Sequence, residues 1–353
     1  MRLKFNNINI SLMKKYIMVA AVASVALASC TKNEVKPVEI DQEITYQTIN
    51  TKAASAFSTD HKFYSWAYLL ASGQNWANNS ATSKQYITNS LIGYVSELNA
   101  WKNASTSYYW PKKAKLTFFA WSDATGAPSV TSPATVSCSN DGGIKFDNFD
   151  TSVDKNKDLL VSKIAADQTY NSSTTSWSAG VPTVFYHVLS AMEITAKTNV
   201  NYGTTKFKVK SVVFNRVLCK GTYTQGVDAT KTPIQSNWTR VSDAKDFDVY
   251  SPNSPSSDLS TTPIPLAAQD GEVSIYMPQT LPDDAKVAVS YQVTYGSTGI
   301  TDEVTIEKDL KSIFTEGWKP GYKYTLNIVI GLDEVLWDPD IQPWENGTGN
   351  VTI

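Results

Sequence analysis

Strict alternation of apolar and polar residues is the feature that most constrains this chain. From Lys286 to Tyr295, the residues Val287, Val289, Tyr291, Val293 and Tyr295 fall on one parity, and Lys286, Ala288, Ser290, Gln292 and Thr294 on the other. A period of two puts every second side chain on the same face, which predicts a half-buried strand with one wet side. Tyr322, Tyr324, Leu326, Ile328, Ile330 and Leu332 repeat the pattern directly after the turn signal Lys319-Pro320-Gly321. Val273, Ile275 and Met277, stopped by Pro278, predict a third strand, and Val304 with Ile306 a fourth.

The same signal extends upstream. Val184, Tyr186, Val188, Met192, Ile194 and Ala196 predict one side of a long strand, followed by a strand over Phe207 to Phe214. In Lys115 to Trp121 both parities are apolar, as expected for a strand central in its sheet, and Leu159 to Ile164 gives another strand. Lys84 to Trp101 carries Ile87, Leu91, Val95 and Leu98 at helical spacing, but its β-branched and aromatic content favours strands. The connections are dense in Ser, Thr, Asn and Pro, which is turn chemistry. Many short strands joined by such turns predict an all-β chain built of sandwiches. At 353 residues the chain exceeds the size of a typical single core, so two sandwich domains in tandem are expected. The Ser- and Thr-rich stretch 171–180 marks the boundary, giving domains 39–180 and 181–353, the second with a tail. Pro339, Pro343 and Gly347 predict that the tail beyond Leu332 is separable from the core.

The N-terminus reads as an address. Lys14 and Lys15 precede the short apolar run Tyr16 to Leu27, and Leu27-Ala28-Ser29-Cys30 ends that run in small residues and a cysteine. Charge and apolar length are those of a secretory signal. The cysteine after small residues looks like a lipobox, in which Cys30 is acylated and the bond before it is cut. Residues 1–29 are then a lipoprotein signal peptide, Met13 the effective start, and 30–38 a polar tether. No later run is long enough to span a bilayer, so attachment would be through lipid. Export leaves Cys138 and Cys219 in an oxidising compartment. A disulfide and two separate reduced thiols are both open readings.

Catalytic chemistry finds little support. A net charge of -2 offers no electrostatic footprint for nucleic acid. Only 2 histidines occur, without a cysteine cluster or His-Glu motif, so no metal site, cofactor or catalytic residue is assigned. His187 falls inside a predicted strand, where a hydrogen-bonded core histidine is expected, and His61 lies between Asp60 and Lys62 as a surface residue would. Asp154-Lys155-Asn156-Lys157-Asp158 starts like a calcium loop, but Leu159 and Ala165 stand where glycine and glutamate are needed, which leaves a polar turn. Asp283-Asp284 and Asp302-Glu303 supply paired carboxylates of the type glycoside hydrolysis uses, at strand ends where solvated charges are common.

Specific blocks carry a resemblance. Tyr109-Trp110-Pro111, Leu116-Thr117-Phe118-Phe119-Ala120-Trp121, Asp158-Leu159-Leu160-Val161, Val184 to Ser190, Trp318 to Tyr324, Ile341 and Trp344-Glu345 follow one another in the order and spacing of the fimbrillin family. The chain thus resembles the lipoprotein precursors of type V pili. The resemblance implies two transthyretin-like sandwiches, an outer-membrane or cell-surface location, and partners that are other pilus subunits joined by strand addition. It also implies removal of an N-terminal strand by a protease with trypsin-like specificity. Ile40, Ile44, Tyr46, Thr48 and Asn50 share one parity just before Thr51-Lys52-Ala53, so the first four are donor or acceptor strand residues and Lys52 a processing site on this reading. The family's step is Thr-Arg-Ala, and lysine in place of arginine leaves shaft, tip and anchor roles open. A permanent first strand is the plain alternative. The rival function is a glycan-binding surface lipoprotein that feeds a sugar transporter, with Trp66, Trp76, Trp101, Trp177 and Trp238 as stacking platforms.

Overall fold

The structure, a computed structural model, describes residues 42–48, 57–170, 180–235, 238–266 and 274–344, all within one compact unit. Its strands in chain order begin with β1 (Tyr46–Thr48), β2 (Phe63–Leu70), β3 (Lys84–Val95), β4 (Ala100–Lys102), β5 (Lys115–Ser122), β6 (Thr135–Ser139) and β7 (Gly143–Asp150). Next come β8 (Leu160–Ser162), β9 (Ala165–Gln168), β10 (Val181–Thr183), β11 (Phe185–His187), β12 (Ser190–Thr198), β13 (Lys206–Thr224) and β14 (Trp238–Tyr250). The last are β15 (Ile264–Pro265), β16 (Ser274–Tyr276), β17 (Lys286–Tyr295), β18 (Ile300–Asp309), β19 (Tyr322–Ile330) and β20 (Val335–Pro343). Two one-turn helices interrupt them, α1 (Trp76–Asn79) and α2 (Leu310–Ile313). The chain is all-β, as the alternation predicted.

These strands form three sheets. One runs β10-β1-β4-β3-β2-β5-β8-β11 with β9 also on β5; a second runs β15-β12-β19-β20 with β16 on β12; a third runs β18-β17-β13-β7-β6 with β14 on β13. β5 is central and buried on both faces. Phe119 and Trp121 point into one core with Trp66, Tyr68 and Phe146, while Leu116, Phe118 and Ala120 point into another with Phe63, Tyr46 and Trp101. The third core lies between β12 and β19 on one side and β13 and β17 on the other. In β17 the inward residues Val287, Val289, Tyr291 and Val293 are buried and their neighbours half-exposed, which is the pattern read from sequence.

The expected single strand over Val184 to Ala196 is corrected. It is two strands in two sheets, β11 paired to β8 and β12 paired to β19, with opposite parities buried. Val188 and Leu189 between them are both fully buried, and the inward parity switches from odd in β11 to even in β12 as the chain changes sheets there. The tail is also corrected: β20 pairs residue for residue with β19 from Val335 to Pro343. Main-chain bonds from Trp344 N–H to the Gly321 carbonyl and from Gly331 N–H to the Glu334 carbonyl set the parity. Pro339 and Pro343 occupy the other parity, at the sheet edge, where the missing N–H would have faced outward. Strand pairing also carries residues beyond Gly180 into the first sheet, through Tyr46 to Val181 and Phe185 to Ser162.

Candidate functional site

β1 lies inside its sheet, with β10 parallel on one side and β4 antiparallel on the other. The segment is held mainly by backbone: Ile44 N–H donates to the Tyr108 carbonyl at 2.7 Å, Trp110 N–H to the Gln42 carbonyl at 2.9 Å, and Val181 N–H to the Thr45 carbonyl at 2.7 Å. Gly180 makes the parallel neighbour possible. Its φ is +96°, and a Cβ there would meet the Thr45 carbonyl and the Tyr46 backbone at 2.7 Å.

The side chains alternate as a strand filling a slot must. Ile44 and Tyr46 are each 3% exposed, whereas Thr45 is half-buried and Gln47 exposed. Tyr46 packs edge-on against Phe63 and Phe118, with ring centroids 5.5 and 5.8 Å away. Its hydroxyl donates to Ser65 Oγ at 3.0 Å, and burial pushes the phenol well above its ordinary range. At the entrance, Lys102 Nζ meets Glu43 Oε1 at 2.5 Å. Burial alone would raise the Glu43 carboxyl, but the Lys102 and Ser107 hydrogen bonds and the lysine charge outweigh it and hold the group below its ordinary value. Thr48 closes β1, half-buried, opposite Thr183. Cys30, Ile40, Asn50 and Lys52 lie outside the described residues.

The other residues singled out in the sequence are engaged structurally. His187 is fully buried, its Nδ1 2.6 Å from Asp158 Oδ2 and its ring stacked on Trp344 at 3.9 Å, which is the core histidine expected. His61 is partly buried, its ring edge-on to Phe57, and burial lowers its pKa. Asp154 accepts hydrogen bonds from Thr131 N–H and Oγ1 and pairs with Lys157, so its oxygens serve a polar turn. Asp283 pairs with Lys311, Asp284 with Arg216, and Glu303 with Lys210, all exposed. Cys138 and Cys219 are unbridged thiols, and Cys219 Sγ donates to the Asp243 carbonyl.

Tryptophans proposed as glycan platforms are packing residues. Trp66, Trp76 and Trp101 are 5%, 1% and 6% exposed, and Trp238 packs against the same core as Trp66, while Trp177 lies outside the described residues. What sequence reading missed at the slot is its two walls: β4 and the loop 108–110 on one side, β10 on the other. Gly180 before an apolar Val181 was the one available signal.

The sequence model of the fimbrillin-like family matches residues 42–344, most of the chain. The chain belongs to the fimbrillin-like family. Among solved structures, a fimbrial protein of Bacteroides vulgatus superposes with a TM-score of 0.62 at 21% identity, over 86% of this chain and 100% of that one. A Bacteroides uniformis protein ascribed to cell adhesion gives a TM-score of 0.46 at 16% identity, over 88% of this chain and 100% of that one. None of the curated proteins matches the sequence. Family membership is that of fimbrial rather than enzymatic proteins, and the B. vulgatus likeness extends the shared fold across the full length of the solved chain.

Proposed function

We propose that this fimbrillin-like chain is a structural and adhesive subunit of a surface fimbria, exported as a lipoprotein acylated on Cys30 and assembled by exchange of β1 for a strand from another subunit. The observation that carries the reading is β1 itself. It is short, the inward side chains of Tyr46 within it and Ile44 just before it are buried, and it is flanked on both sides, so departure of this segment would leave an apolar slot with two rows of unpaired main-chain groups. Such a slot is a template for an incoming strand, with main-chain bonds giving affinity and alternate side-chain pockets giving register. Exposing Ile44 and Tyr46 contacts costs about 1.5–3 kcal/mol for each side chain, which a matching strand recovers. Cleavage between β1 and Phe57, at Lys52 on the present reading, would then drive association.

Limited trypsin digestion followed by size-exclusion chromatography tests this. Oligomers that form only after a cut at Lys52 are the expected result. A clean cut there that leaves a stable monomer would overturn assembly by strand exchange and favour an uncleaved anchor. Acylation is tested separately by fatty-acid labelling of the wild type and Cys30→Ala, with label expected in the wild type alone.

A further inference from the structure

The slot filled by β1 contains a polar reader. Ser65 on β2 is fully buried beneath Tyr46, accepting its hydroxyl at 3.0 Å and donating in turn to the Phe119 carbonyl at 3.2 Å. Around this pair the walls are aromatic, Phe63 and Phe118 both meeting the Tyr46 ring edge-on. Two positions earlier the strand places Ile44 against an apolar surface. A shift by one residue would drive Thr45 and Gln47 into these pockets. A shift by two would put Ile44 or Thr48 where Tyr46 sits, leaving space between the two phenylalanines and no hydroxyl long enough to take the place of the phenol on Ser65.

We propose that Ser65 is the specificity-determining residue of this slot. It selects an extended segment of a different polypeptide that carries tyrosine at the Tyr46 position and an aliphatic residue two places before it. This rests on the strand-exchange reading above and narrows its partner. The chain's own tail does not meet the requirement: from Val335 to Ile353 it contains no tyrosine, and its alternating candidates are Val335 with Trp337, Ile341 with Pro343, and Val351 with Ile353. The stretch Val335 to Ile353 of a second copy is therefore a poor ligand, and the slot points to a donor segment that carries this tyrosine. The chemistry is asymmetric, because a buried tyrosine hydroxyl without an acceptor is penalised more than an acceptor left without a donor beside a retained hydrogen bond.

The test uses the full-length protein with Thr51-Lys52-Ala53 replaced by the site of a sequence-specific protease, nicked and then offered labelled peptides in excess. Three peptides suffice: Asp41–Asn50, the same peptide with Tyr46→Phe, and Val335–Ile353. The wild-type slot should prefer the tyrosine peptide over the phenylalanine one by about tenfold, and the tail peptide should bind more weakly than both. In the Ser65→Ala protein the order of the first two should reverse. Equal binding of the tyrosine and phenylalanine peptides, or a tail peptide that binds as tightly as the tyrosine one, overturns the inference and leaves strand exchange standing. Failure of every peptide to enter after β1 has been released overturns strand exchange itself, and this inference with it.

Discussion

At the residue scale, the grip on β1 combines one ion pair with several apolar contacts, and the two respond differently to pH. The Glu43 carboxyl is held below its ordinary value by Lys102 and Ser107 despite the opposing effect of burial. A depressed acid stabilises the folded state above its unfolded pKa, and that contribution is lost as pH falls through the folded value. The Glu43 contribution should therefore begin to fade near pH 4.3, the ordinary glutamate value, and vanish at lower pH. Hydrogen exchange at the Ile44 and Tyr46 amides checks this. Wild-type protection should fall in acid relative to Glu43→Gln, and the two should converge once Glu43 is protonated. Parallel pH profiles would show that the ion pair contributes nothing to holding the strand, as exposed pairs often do not. Individual residues were legible from sequence where a single parity persisted. Ile44 and Tyr46 fell on the buried parity as read, whereas the hydroxyl pair between Tyr46 and Ser65 spans 19 residues and two strands and left no local trace.

At the element scale, alternation recovered β17 and β19, composition recovered β3 and β5, and alternation failed where a bulge flips the facing. β13 is the clearest example. Phe207 and Val209 are buried, then Val212 and Phe214, then Val217 and Cys219, so its inward parity changes twice in 19 residues. Register shifts at Val209/Ser211 and Phe214/Val217, the second with Arg216 at a φ of +57°, produce those changes. β14 was missed for a different reason: up to Asp246 it faces solvent on nearly every residue, so it carries no apolar period. Two element-level outcomes follow from the geometry. Gly180→Ala should destabilise the protein by more than about 1 kcal/mol and loosen β1 selectively, because the new Cβ collides with β1 backbone at a left-handed φ. Equal loss of amide protection across all strands would argue against a local effect. Truncation after Trp344 should leave the urea midpoint nearly unchanged. Truncation after Leu332 should lower stability by about 3 kcal/mol or more, since it removes nine cross-strand pairs and the packing of Val335 and Trp337.

At the scale of the whole molecule, the reading of two successive sandwiches leads to an expectation about cooperativity that the strand paths modify. β13 supplies Phe214 and Val217 to one core and Tyr223 to another, pairing with β17 near its start and with β7 near its end. The stretch from β16 onward divides likewise, Tyr276 facing one core and Ile275 and Met277 the other. Val188 and Leu189 join the core of Phe119 and Trp121 just before β12 enters the core it shares with β13, β17 and β19. Three separate segments are thus shared, and neither core can lose its packing without releasing strands from its neighbour. Independent tandem domains would unfold in separable steps, as chains of this length commonly do. Here a single transition is expected, with calorimetric and van't Hoff enthalpies equal. Phe214→Ala puts this to the test, because Phe214 is fully buried in the core between β12–β19 and β13–β17 and its truncation should cost about 3–5 kcal/mol. The loss should appear undiminished in the hydrogen exchange of β2 and β5, which contribute nothing to that core. Retained protection of β2 and β5 while β17 and β19 exchange freely would show that the shared strands do not couple the cores.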